Sequence, residues 1–158
     1  MSLTLDELER LAAELAVTPE RWRDHVRHAQ DARVYDQIWD DDEANAWVIC
    51  WSADQDTGFH DHDESAAGIA VVSGRVREDR LRISGPPLER EFGAGTTFTV
   101  PPVAIHRVLH AGDRPAVTIH VYSPPLTRTG AYRIGSDGEL EREALASDVE
   151  LRGEPALS

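Results

Sequence analysis

A chain of 158 residues is long enough to bury one proper core, and it carries 29 acidic against 16 basic side chains, a formal charge of -13. That field repels phosphate backbones and anionic lipid, which argues against nucleic acid or a membrane surface as partner. Cys50 is the single cysteine, so no internal disulfide framework can form.

The stretch from Met1 to Glu7 has neither a basic nor an apolar leader pattern, and no apolar run approaches membrane-spanning length. A cytoplasmic protein of one domain is expected. Thr4-Leu5-Asp6-Glu7 matches a capping box, and Leu5, Leu8, Leu11 and Leu15 then recur at helical spacing. Thr18-Pro19 predicts a second helix, with threonine as cap and proline at the first helical position. Residues 1–30 therefore read as a short helical cap. His25 and His28, three apart in the second helix, read as solvated surface histidines.

From Arg33 the pattern turns to β, and residues 31–158 read as one barrel. Arg33–Trp39 and Asn45–Trp51 are rich in β-branched and aromatic residues, with the acidic turn Asp40-Asp41-Asp42-Glu43 between them. Turn signals then recur at Gly74, Ser84-Gly85-Pro86-Pro87, Gly93-Ala94-Gly95, Pro101-Pro102 and Gly112-Asp113. Short strands at this spacing predict an all-β antiparallel barrel or jelly roll. The charged tail from Gly135 is expected to form a last edge strand and then fray. Cys50 lies in an apolar strand and reads as core.

The chemistry gathers at Gly58-Phe59-His60-Asp61-His62-Asp63-Glu64. In an extended segment His60 and His62 point to one face, so a single metal ion can bind both rings. Asp61 should point the other way, and Asp63 and Glu64 read as solvated or outer groups. A third histidine arrives in Gly95-Thr96-Thr97-Phe98-Thr99-Val100-Pro101-Pro102-Val103-Ala104-Ile105-His106. These two stretches resemble the paired motifs of the cupin superfamily. His60, His62 and Gly74 fit the first motif, with Ala67 where its glutamate would stand. Gly95, Pro101 and His106 fit the second, with Val103 and His110 replacing its glycine and asparagine.

Three neutral imidazoles leave a divalent ion its full charge and invite an anionic substrate ligand such as a thiolate. The chain also resembles the cysteine dioxygenase (thiol dioxygenase) family, over roughly Arg33 to Tyr132. The matching pieces are Ile49-Cys50-Trp51, Phe59-His60-Asp61-His62, Ile105-His106-Arg107-Val108 and Ala116-Val117-Thr118-Ile119-His120-Val121-Tyr122-Ser123-Pro124-Pro125. The last block follows the family's Ser-x-His-x-Tyr and Ser-Pro-Pro, with threonine for the first serine.

That resemblance implies a cupin barrel with Fe(II) on His60, His62 and His106, adding O2 to the sulfur of a small thiol to give a sulfinic acid. It implies a row of Thr118, His120 and Tyr122 facing the metal, and a cis bond at Ser123-Pro124. Mammalian members link a cysteine to the tyrosine; the aligned position here is Ala67, so that crosslink cannot form. Arg33 is the candidate to hold the substrate carboxylate, and it reads equally as a surface arginine pairing with Asp31 or Asp36. Two other functions fit the residues: a zinc-dependent hydrolase or lyase, and a cupin that binds a ligand without turnover.

Overall fold

The computed structural model describes residues 2–146 of the chain. One sheet is built from β1 (Val34–Asp40), β2 (Asn45–Trp51), β4 (Ala66–Ser73), β7 (Thr97–Val100) and β9 (Ala116–Ser123), in the order β1-β2-β9-β4-β7. The other contains β3 (His60–Asp61), β5 (Arg75–Arg80), β6 (Leu88–Gly93), β8 (His106–Ala111), β10 (Arg128–Ile134) and β11 (Leu140–Ala146), in the order β11-β10-β3-β8-β5-β6. All the strand pairs are antiparallel. Strands far apart in sequence lie side by side, as the expected jelly-roll barrel requires.

Period-two alternation gives β9 two different faces. Thr118, His120 and Tyr122 look inward, where Tyr122 joins a cluster with Trp47, Ile49, Trp51, Ile69 and Phe98. Val117, Ile119 and Val121 look outward, yet they are buried too, under Leu8, Ala12 and Leu15 of α1 (Leu5–Ala16). Covering both faces is why all eight residues of β9 are buried. Cys50 belongs to the α1 side of this packing, as expected of a core residue.

The capping box is realised in part, since the Thr4 hydroxyl accepts from the Glu7 N–H at 3.1 Å. The helix then rests so close to β4 that a Cβ on Gly68 would lie 2.5 Å from the Leu8 carbonyl oxygen. Gly68→Ala is therefore expected to lower stability by about 1–3 kcal/mol, the usual penalty for overpacking, read as a lower urea midpoint at unchanged slope.

The predicted second helix is corrected to two 3-10 turns, Pro19–Arg21 and Arg23–His25. Trp22 separates them with a non-helical backbone, φ -138° and ψ -18°. Its indole N–H reaches back to the Leu15 carbonyl at 2.9 Å, which anchors this segment to α1. His25 pairs with Asp36 at 3.2 Å and His28 is exposed, so both lie away from the inward histidines. The first β stretch is shifted by one residue, to Val34–Asp40. β11 forms the expected edge of its sheet; the tail beyond residue 146 lies outside the described residues. Among the described residues, no helix is long and apolar enough to cross a membrane.

Candidate metal centre

β3 is only two residues long, and it lies between β8 and β10. Its register sets His60 opposite His106 of β8, while His62 follows just past the strand end. The three rings converge: His62 Nε2 is 3.2 Å from His60 Nε2 and 3.4 Å from His106 Nε2. All three residues are buried, and their ligand atoms lie within 4.8 Å of one another. One ion at about 2.1 Å from each nitrogen would subtend about 100–108° across those two spacings, between octahedral and tetrahedral angles. The cluster is able to hold a metal ion.

The ring orientations are set from behind. Nδ1 of His60 lies 2.9 Å from the Gly58 carbonyl, and Nδ1 of His106 lies 2.8 Å from Glu78 Oε2. A carbonyl and a carboxylate only accept, so each Nδ1 carries the proton and each Nε2 offers a lone pair to the centre. Burial pushes the His106 pKa down to about 3 although Glu78 opposes it, so the ring is neutral, as metal ligation requires.

Asp61 points away from the histidines, as alternation predicts. It accepts from Arg142 Nε at 2.9 Å and Nη2 at 3.0 Å, from the Gly130 N–H at 3.1 Å, and from the Tyr132 hydroxyl. Burial alone would raise its pKa, but the Arg142 and Tyr132 hydrogen bonds outweigh it and hold the carboxyl well below its usual range. The Asp63 N–H also donates to Asp61, at 2.9 Å, turning the chain after His62. Arg142 reaches this place by crossing directly over Gly130, where any Cβ would collide with the guanidinium. The aspartate between the histidines thus pins β3 to β10 and β11.

Across the barrel interior the Tyr122 ring lies 5.0 Å from the His62 ring, centroid to centroid, and edge-on to Trp47 at 5.9 Å. Thr118 Oγ1 is 2.7 Å from His120 Nε2, and His120 Nδ1 is 3.3 Å from the Tyr122 hydroxyl. The row continues at its far end, because the Trp51 indole N–H donates to Thr118 Oγ1 at 2.9 Å. Ala67 sits directly opposite Tyr122 in the β4–β9 register and brings only a methyl group there. The Ser123-Pro124 bond is cis, as the resemblance implied. Arg33 is 3% exposed, with its guanidinium 4.9 Å from the centroid of the Trp51 ring, so it lies in the interior rather than on the surface.

Two features escaped sequence reasoning. Glu78 sits in Arg75-Val76-Arg77-Glu78-Asp79-Arg80, a pattern that reads as a solvated strand, yet it is fully buried. Its partners are His106, Arg80 at 2.7 Å and Arg90 at 3.0 Å. Burial alone would raise its pKa, but His106 and Arg80 hold it down at about 2. The other feature is Trp51, whose indole N–H links the inward row to the place of Arg33. Period-two alternation puts Glu78 and Val76 on one face, a signal that could have marked Glu78 as inward.

Solved structures of low identity share this fold. A conserved double-stranded β-helix protein of Klebsiella pneumoniae matches with a TM-score of 0.57 and 17% identity, over 65% of this chain and 80% of that one. A Thermus thermophilus protein matches at 0.58 and 16%, covering 65% and 93%. A cupin superfamily protein of Desulfitobacterium hafniense matches at 0.52 and 8%, covering 65% and 87%. The fold is that of the cupins, here with three inward histidines at its centre. Within that class, the profile of the family "Cysteine dioxygenase type I" matches residues 2–134, and the chain belongs to this family. Cysteine dioxygenase type 1 of Danio rerio is 24% identical over 152 residues, covering 85% of this chain and 73% of the relative. The Rattus norvegicus protein of the same name is 24% identical over 100 residues, which is 56% of this chain and 48% of the relative. The aligned part thus spans about half the length of the rat protein.

Proposed function

We propose that this chain is an Fe(II)-dependent thiol dioxygenase that converts a small thiol acid to its sulfinic acid. Both atoms of O2 are added to the sulfur, which is oxidised as dioxygen is reduced, and the thiol hydrogen ends on the sulfinic acid. The observation that carries this reading is a cluster of three buried histidines with no carboxylate among them, in a chain of the cysteine dioxygenase type I family. Fe(II) on His60, His62 and His106 would supply the Lewis acidity that favours a thiolate and the redox chemistry that activates O2.

The chain's own residues would do the rest. The Trp51 N–H can only donate, so it occupies a lone pair of Thr118 Oγ1. In this reading the Thr118 hydroxyl donates to His120 Nε2, and His120 keeps its own proton on Nδ1. That N–H points to the Tyr122 oxygen, at 3.3 Å, and the phenol is the group proposed to donate toward the substrate. Arg33 holds the substrate carboxylate as a planar cation seated over the Trp51 ring.

The reading is tested by supplying the iron-loaded protein with O2 and a panel of thiols, cysteine and 3-mercaptopropionate among them. Thiol-dependent O2 uptake with sulfinate formed supports it. Zinc-dependent hydrolysis, or saturable binding without product, refutes it in favour of the other two functions. Arg33→Ala should raise KM for thiol acids roughly 10- to 100-fold, the size of one charge-assisted hydrogen bond, and should spare a thiol that lacks a carboxylate. An unchanged KM would assign that end of the substrate to another residue.

A further inference from the structure

Cupins of the usual motif place a glutamate among the metal ligands, and here Ala67 stands at that position. Yet an acid is present one bond further out. Glu78 comes from the neighbouring strand β5, where Glu78 pairs with Val108 and Arg80 pairs with His106. Its Oε2 accepts both the His106 Nδ1–H, at 2.8 Å, and Arg80 Nη2, at 2.7 Å; Oε1 accepts Arg90 Nη2 at 3.0 Å. Glu78 has no solvent exposure, and such a buried acid persists as an anion only when its oxygens are paired. Arg80 is itself braced by the Thr99 carbonyl at 2.8 Å. This is more apparatus than packing requires at a position where an apolar residue would sit without loss.

We propose that Glu78 is a positioning residue for the metal centre: it holds His106 with Nε2 inward and lends the site, through the imidazole, the negative charge its ligand set lacks. This rests on the metal site proposed above. A carboxylate behind a ligating histidine fixes the ring tautomer and raises the basicity of the inward nitrogen, and losing one typically weakens metal binding 10- to 100-fold. Arg90 acts in the opposite sense. It is half-exposed and pairs with the other oxygen of Glu78 at 3.0 Å, so it competes with His106 for the charge of the carboxylate.

The experiment is anaerobic titration of the apoprotein with Co(II) and Fe(II). Glu78→Gln preserves shape and an acceptor oxygen while removing the charge; it should raise the dissociation constant about 10- to 100-fold. In the metal-free protein, 15N spectra should show the Nδ1–H tautomer of His106 in the parent chain and a mixture of tautomers in Glu78→Gln. Should that variant fold poorly, Arg90→Gln decides from the surface. Releasing Glu78 from one cation should tighten Co(II) binding by about two- to fivefold, the scale of an exposed pair. A purely structural role would make both variants bind more weakly. Binding unchanged in Glu78→Gln, or unchanged or weakened in Arg90→Gln, overturns the role of Glu78 and leaves the metal site standing. If the parent chain takes up neither metal, the metal reading itself fails.

Discussion

His62→Ala should abolish retention of metal at the centre, with the dissociation constant rising by at least about 100-fold. Three imidazoles with no carboxylate to assist them are the fewest protein ligands usual at a tightly held site, and removing one leaves two. His62 is the cleanest choice of the three. His106→Ala would also leave the buried Glu78 facing a cavity, and His60→Ala would remove the partner of the Gly58 carbonyl. The measurement is metal content after anaerobic loading and dialysis, with circular dichroism confirming the fold. Asp61→Asn is the matching control. Asp61 faces Arg142 and Tyr132 rather than the cluster, so its replacement should lower stability without removing a ligand. Full metal retention by His62→Ala would dismiss the three-histidine site.

Local patterns of residues foretold much of this architecture, because strand alternation is a local property. His60 and His62 share a face and Asp61 opposes them, as spacing alone demands. β2 occupies Asn45–Trp51, the stretch read from its β-branched and aromatic content. What sequence reasoning lost lies in contacts between distant strands. Arg142 reaches Asp61 across 81 positions, and Glu78 reaches His106 across 28. Nothing in Arg77-Glu78-Asp79-Arg80 distinguishes an acid paired in the interior from one paired in water, because the difference is made by β8 and β6 on either side. The second helix failed for a related reason. The proline does open a 3-10 turn, but the Thr18 hydroxyl donates back to the Glu14 carbonyl at 2.7 Å instead of capping it, and the Trp22 indole turns back to Leu15. Arg33 was left open between interior and surface because one residue of register reverses a side chain's direction. Val34 pairs with Cys50, which sets Arg33 beside Trp51 on the inner side.

Tyr122→Phe should keep the metal and lose the reaction, with turnover falling roughly ten- to a thousand-fold. The ring is fully buried, wedged edge-on between Trp47 and His62, and phenylalanine fills the same volume. Packing around the histidines is therefore preserved, and Co(II) affinity should stay within about twofold. What disappears is the hydroxyl that ends the row Trp51, Thr118, His120, Tyr122. With no cysteine at position 67 to tether the ring, its direction depends on that row and on the flanking aromatics. In the proposed function the row also has a polarity, running as donor from the Trp51 indole through Thr118 and His120 to Tyr122. Thr118→Val keeps the phenol but breaks the polarity, so it should lower turnover less than Tyr122→Phe while moving in the same direction. Single-turnover kinetics with saturating thiol separate the loss in chemistry from any change in binding. Equal turnover in Tyr122→Phe and the parent chain would reduce the row to a satisfied polar stack in the barrel wall. A loss in Thr118→Val larger than that in Tyr122→Phe would instead move the acting group from the tyrosine to His120.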